Sequence, residues 1–328
     1  MPSSTPDLDV EDLDVRLRAA YARRGRVRAV TTAYRLVDDA ADGFPGVTVD
    51  CYEKWAVVSV YEANHAPLVG PLARALVPAY ASGVYAKHHE RGDLRRKGRE
   101  YVAPVTPVAG AAAPAELLVE ENGVRWAVAL HDGLSTGLFL DQRDNRRRVR
   151  AFASGTRVLN LFSYTCSFSV AAALGGAVET VSVDLSNRAL ERGRENLARN
   201  DVAASGHRFI REDALVYLGR AIRRGERFQL VVLDPPSFGT RGKKTFSVER
   251  DYADLARSAM TVLAEGGRLL AVTNHRKTSP ARLRALLEDA ARNAGRRITT
   301  LSDLPPPDDF PHRVEGVPST KSVLVTLT

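Results

Sequence analysis

Acidic and amide side chains stand at the ends of apolar runs, at intervals that would gather them at one edge of a sheet. Asp184 closes Thr180–Val183, and Asp213 follows Phe209-Ile210-Arg211-Glu212. Asp234 follows Leu230–Leu233 and opens Asp234-Pro235-Pro236-Ser237-Phe238, and Asn274 follows Gly267–Thr273. Short continuous apolar runs are what parallel strands buried on both faces show. An acid at the end of the second strand, about twenty residues after the first, is suited to a ribose diol. Asp184 therefore points to a nicotinamide dinucleotide or to S-adenosylmethionine. A pyrophosphate needs bare backbone at a helix N-terminus, but Ser163, Tyr164, Thr165 and Cys166 stand where its glycines would be. S-adenosylmethionine has no phosphate and carries a positive sulfonium, so the sequence favours the methyl donor. Asp213 is suited to an adenine amino group. The paired prolines after Asp234 stiffen the edge of a reacting pocket, and Phe238 is spaced to stack on a flat base.

The elements that must position these groups alternate regularly. Residues 155–185 read as strand, loop, helix, strand, the loop being Phe162–Ser167 and the helix ending at Gly175-Gly176. Helices follow at Asn187–Asn200, Ala214–Arg223, Val248–Leu263 and Pro280–Arg292, with strands between them and two more at Ile298–Leu301 and Ser322–Leu327. The expected fold is α/β: a Rossmann-like, seven-stranded sheet whose last hairpin is antiparallel, preceded by a small α/β domain and a β-hairpin. Its parts are a tail and helix over 1–30, the small domain over 31–115, the hairpin over 116–131 and the large domain over 132–328. The hairpin rests on Glu121-Asn122-Gly123, since Asn and Gly accept positive φ. Along Leu13–Arg28 the arginines 16, 18, 23, 24, 26 and 28 read as an exposed face. Asp308-Asp309 before Phe310 reads as a loop at the pocket entrance.

A chain of 328 residues, 44% hydrophobic, can bury a real core. Two cysteines make neither a disulfide framework nor a four-ligand zinc site. No apolar stretch approaches the length needed to span a bilayer, and Met1–Glu11 lacks the pattern of a signal peptide. The expectation is a cytoplasmic protein without membrane or metal partners. His88 and His89 invite a metal reading, but spacing places no third ligand.

The net charge of +8 and a pI near 9.6 give a modest prior for a polyanion. The longest basic tract supplies Lys87, Arg91, Arg95, Arg96, Lys97 and Arg99. A second loop supplies Lys243 and Lys244 beside the pocket. Such residues contact phosphates without reading sequence; the alternative is a pair of solvated loops.

From about Tyr34 onward the chain resembles the bacterial class I methyltransferases of large-subunit (23S) ribosomal RNA, which include cytosine-C5 and guanine-N7 enzymes. The resemblance is densest at Thr136-Gly137-Leu138-Phe139-Leu140-Asp141-Gln142-Arg143, Asn160-Leu161-Phe162-Ser163-Tyr164-Thr165, Val183-Asp184-Leu185-Ser186 and Asp234-Pro235-Pro236-Ser237-Phe238. It implies that Phe139, Gln142 and Arg143 close over the cofactor, that Asn160, Phe162, Tyr164 and Thr165 lie around its methionine part, and that Asp184 and Leu185 meet the ribose side. Asp213 would take the adenine side and Asp234 would sit by the cofactor's methyl group; Asp234 or Asn274 could then hold the base edge, beside Pro235 and Phe238, as the catalytic group. Full-length members often begin with an RNA-binding PUA module, and here some thirty residues precede the match. Cytosine-C5 members carry a cysteine just after strand five, and Ala271–Arg276 has none. That absence points to N-methylation of a purine, guanine N7 first, without a covalent cysteine intermediate, on rRNA or a large-subunit assembly intermediate. The rivals are another RNA base atom, a protein or small-molecule substrate, or a non-catalytic assembly factor.

Overall fold

The computed structural model describes residues 10–89, 105–131, 133, 135–236, 238–241, 244–314 and 316–328; for residues 10–11, 238–241 and 244–250 it gives backbone alone. The chain divides into two units, one of residues 1–140 and 307–312, the other of 141–306 and 313–328.

In the first unit, β1 (Ala33–Asp38), β2 (Val47–Tyr52), β3 (Trp55–Val60), β4 (Gly83–His88) and β5 (Ala109–Gly110) form a sheet in that order. The β2–β3 bend is at Glu53-Lys54, with Tyr52 opposite Trp55 and Glu53 at φ 53°. Strands β3 and β4 are parallel, so the chain must cross over between them, and the amphipathic helix Val69–Leu76 does so with Val69, Leu72, Ala73 and Leu76 buried. The expected hairpin is present as β6 (Leu117–Glu121) and β7 (Val124–Val128), turned by Asn122 at φ 51° and Gly123 at φ 73°.

The arginine face of the first helix is not wholly exposed. Arg24 is only 1% exposed; its guanidinium grips Asp42, and its Nε donates to the Arg35 carbonyl at 3.0 Å. A buried charge is tolerated only when paired this way, and breaking one such pair costs about 3–5 kcal/mol. The Asp308-Asp309 loop also needs correcting. Asp309 is completely buried in the first unit and accepts a hydrogen bond from the Arg35 amide at 2.9 Å. The Arg35 guanidinium lies over the Phe310 ring at 4.4 Å, and the His312 amide donates to Asp38 at 2.7 Å. The segment fastens this unit together.

The second unit is built on β8 (Arg157–Leu161), β9 (Glu179–Asp184), β10 (His207–Arg211), β11 (Phe228–Leu233), β14 (Leu263–Thr273), β15 (Ile298–Leu304) and β18 (Lys321–Leu327). Between them come two short hairpins, β12 (Phe238–Arg241) with β13 (Lys244–Ser247) and β16 (Arg313–Val314) with β17 (Val317–Pro318). The seven long strands stand in the order β10-β9-β8-β11-β14-β18-β15, with β18 antiparallel to both neighbours. Alternation of side chains builds a core on each face. Leu159, Val231, Leu233, Leu269 and Ala271 pack with helices Ala214–Arg223, Val248–Thr261 and Pro280–Asn293. Val158, Leu230, Val232, Leu270 and Val272 pack with helices Arg143–Phe152 and Ser167–Leu174. These last two helices approach closely at Gly175, where a Cβ would stand 2.1 Å from the Arg150 carbonyl oxygen.

Candidate active site

The parallel strands deliver their carboxyl ends to one edge, and the strand order reverses between β8 and β11. Ligands of open α/β sheets collect at such an edge.

The loop after β8 turns by unusual means. Phe162, Tyr164 and Cys166 all have positive φ, at 56°, 46° and 59°. Side-chain-bearing residues adopt that conformation at a cost, and such strain clusters at ligand clamps. Asp184, at the end of β9, holds the loop: one carboxylate oxygen accepts from the Tyr164 amide at 2.8 Å, the other from the Ser186 amide at 2.8 Å. Ser186 in turn caps helix Asn187–Arg199 by accepting from Ala189. Asp184 remains partly exposed and Leu185 beside it is exposed, so both are open at this edge.

Asp213 caps helix Ala214–Arg223 through Leu215 and Val216, at 3.0 and 3.1 Å. Val216 on that first turn is exposed. Asn160 turns inward: its amide donates to Ser169 Oγ at 3.0 Å, and Ser169 and Ser182 hydroxyls join at 2.7 Å. Gln142 and Arg143 are buried, the Gln142 oxygen accepting from Asn145. Phe139 is 49% exposed and falls in the first unit.

At the ends of β11 and β14 the groups are different in kind. Asp234 is desolvated by its surroundings, and burial with the Asp141 carboxylate nearby pushes its carboxyl up to about 7. Tyr252 is fully buried and donates to the Val272 carbonyl at 3.2 Å. Asn274 is exposed at the end of β14. The turn after it is laced by His275 N–H to Thr273 Oγ1 at 3.2 Å and by His275 Nδ1 with Thr278 Oγ1 at 2.9 Å. Sequence reading missed Asp141, Tyr252 and Lys321 here, because their nearness to Asp234 and Asn274 is set by folding and not by spacing.

Neither cysteine is presented as a nucleophile. Cys166 is completely buried, and burial pushes its thiol up to about 12. It packs on Gly193, where a Cβ would stand 2.5 Å from the sulfur. Cys51 is buried in β2 of the first unit, its thiol likewise pushed up to about 12.

Among the proposed phosphate contacts, Lys87 is corrected. It lies in β4 with 1% exposure, so it offers no free surface to a phosphate. Arg91, Arg95, Arg96, Lys97, Arg99 and Lys243 lie outside the described residues, as do the side chains of Lys244 and Phe238. Among the described residues no group of three or more His, Cys, Asp or Glu could hold a metal ion, and no helix is long and apolar enough to cross a membrane.

Residues 85–325 match the model of the S-adenosylmethionine-dependent methyltransferase family. The chain belongs to that family. Ribosomal RNA large subunit methyltransferase I of Aeromonas salmonicida is 36% identical over 309 residues, 92% of this chain and 76% of that one. Its Escherichia coli O1:K1 namesake is 33% identical over 85% of this chain and 70% of its own length. The solved structure of SMU.776 with SAH has a TM-score of 0.86 at 32% identity, covering 98% of this chain and 82% of that chain. A Streptococcus mutans structure gives 0.85 at 30%, again covering 98% of this chain and 82% of its own. The two ribosomal RNA large subunit methyltransferases I overturn the placement closer to the guanine-N7 members. The missing cysteine misled because it argues from one reaction step, whereas the likeness runs through most of the chain.

The methyltransferase binds S-adenosylmethionine, and its residues fit that donor. The loop of left-handed residues has no glycine nest for a phosphate, and Asp184 has a partly exposed carboxylate where a diol would donate. When bound, the donor supplies an electrophilic methyl group on sulfur.

Proposed function

We propose that this methyltransferase modifies C5 of a cytosine in 23S ribosomal RNA, which places its work in the cytoplasm. The observation that carries the substrate is the likeness to ribosomal RNA large subunit methyltransferase I over nine-tenths of the chain. The site supports it through a division of labour. Asp184, Leu185 and the Phe162–Thr165 loop hold the donor, while Asp234 and Asn274, at the ends of adjacent strands, hold the base edge.

Burial and the Asp141 carboxylate push the Asp234 carboxyl up to about 7, so its protonated and its ionised form are both accessible near neutral pH. The first donates a hydrogen bond to a ring acceptor and the second accepts one from an exocyclic amine. A cytosine edge carries both groups side by side. Methylation at C5 requires a nucleophile to add at C6, C5 to take the methyl from sulfur, and the C5 proton and that nucleophile then to leave. Holding base and methyl in line in a desolvated pocket orients the ring for these steps. The base has to leave its stack to get there, and the basic tracts would hold the RNA by its phosphates.

The experiment is transfer of an isotope-labelled methyl group to rRNA from cells lacking the gene, followed by nucleoside mass spectrometry. Labelled 5-methylcytidine is expected. A labelled nucleoside of any other kind, or label only in protein, would refute the assignment.

A further inference from the structure

Lys321 is buried at 3% exposure at the start of β18, directly opposite Thr273 on β14. Its ammonium donates to the His275 carbonyl at 2.8 Å and to the Ser319 carbonyl at 2.9 Å. A buried ammonium is costly, so a chain that needed only packing would carry an apolar residue here. Its neighbours are engaged in the same direction. Thr320 donates to the Asp141 carboxylate at 2.5 Å, and Ser322 Oγ accepts from Asn145 at 2.9 Å, the amide that also holds Gln142. Three successive side chains of one strand start therefore tie down two separate stretches. One carries Asp141 and Gln142, and the other is the turn that follows Asn274.

We infer that Lys321 is a positioning residue for methyl transfer, fixing through the His275 carbonyl the place where Asn274 meets the base. The inference rests on the proposed role of Asn274 at the base edge. Lys321 touches neither donor nor base in this account. It acts on the backbone one residue beyond Asn274, in a turn whose His275 carbonyl accepts both from the Thr278 amide at 3.1 Å and from the Lys321 ammonium at 2.8 Å. A displacement of about 1 Å at a reacting centre costs on the order of 100-fold in rate, so a turn held at one carbonyl is a sensitive place.

The test compares Lys321→Met, which keeps length without donors, and Lys321→Gln, which keeps an amide donor, with the wild-type enzyme. Single-turnover methyl transfer to rRNA is expected to fall about 10- to 100-fold in Lys321→Met and less in Lys321→Gln, while donor affinity stays within about twofold. In an Asn274→Ala background the same Lys321→Met change should cost almost nothing more, because the two act as one unit. Full additivity, or equal loss of rate and donor affinity, would mean a merely structural lysine. Amide hydrogen exchange supplies a reading independent of the substrate. Residues 275–278 should exchange faster in Lys321→Met and residues 163–166 should not. Unchanged exchange at 275–278 in Lys321→Met overturns the inference, and if only Lys321→Gln folds, a transfer rate equal to wild type in that variant overturns it. A wild-type enzyme that transfers no methyl to RNA while the exchange result holds would instead remove the base-edge reading on which the inference stands.

Discussion

The two halves of the sheet edge are organised on different principles. At β8 and β9 the backbone does the holding: three left-handed residues bend the loop, and Asp184 fixes it through two amide hydrogens at 2.8 Å. At β11 and β14 side chains do the holding, with Asp141 acting on Asp234 and Lys321 on the turn after Asn274. A backbone-built site is rigid and little altered by pH, as suits a donor whose shape never varies. A site built from buried titratable side chains shifts its hydrogen-bonding character near neutrality, as suits the exchange of protons with a base. The comparison teaches that binding and transfer are separable properties of this edge.

The largest effect that would sharpen the contrast is expected from Asp234→Asn. An amide cannot alternate between donor and acceptor at one atom, and loss of an acid–base group costs about 100-fold or more in rate. Single-turnover transfer should show that loss; a rate within a few-fold of wild type would break the contrast.

Next comes the pH dependence. Burial first and Asp141 second raise the Asp234 carboxyl to about 7 from an ordinary value of 3.8. The folded state then binds the extra proton between those values, so this group's contribution to stability declines as pH rises from 3.8 towards 7. Removing the Asp141 charge in Asp141→Asn should lower the midpoint in the rate–pH profile and narrow that window. A midpoint that stays or rises would show that Asp141 does not reach Asp234.

The smallest effect is expected at Cys166. Its buried sulfur packs on Gly193 and its thiol is pushed up to about 12, so Cys166→Ala should leave transfer within about twofold while costing about 1 kcal/mol of stability. Loss of 5-methylcytidine formation in a folded Cys166→Ala enzyme would show that the loop opens to deliver the thiolate.

The sequence made the backbone-built half legible, and for a physical reason. A strand ending in an acid is a local pattern, so the place of Asp184 and a seven-stranded sheet with an antiparallel last hairpin followed from runs of apolar residues. The side-chain-built half was legible only in part. Asp234-Pro235-Pro236 marked the place, but what governs Asp234 is its burial and Asp141, distant in sequence and brought near by folding. Arg24, Asp309 and Lys87 were misread because charge was equated with exposure, whereas Arg24 and Asp309 are buried with partners and Lys87 lies inside β4. The guanine-N7 placement failed because a single absent thiol was given more weight than likeness along the whole chain.

The most direct test of separable binding and transfer is calorimetric titration of S-adenosylmethionine into Asp184→Ala and Asp234→Asn side by side. Removing Asp184 takes away a charged hydrogen-bond acceptor and the anchor of the Tyr164 amide, which should weaken binding about 10- to 100-fold. Asp234→Asn should bind within about threefold of wild type, because its contribution is to transfer. Equal weakening in both variants, or the reverse order, would contradict the account.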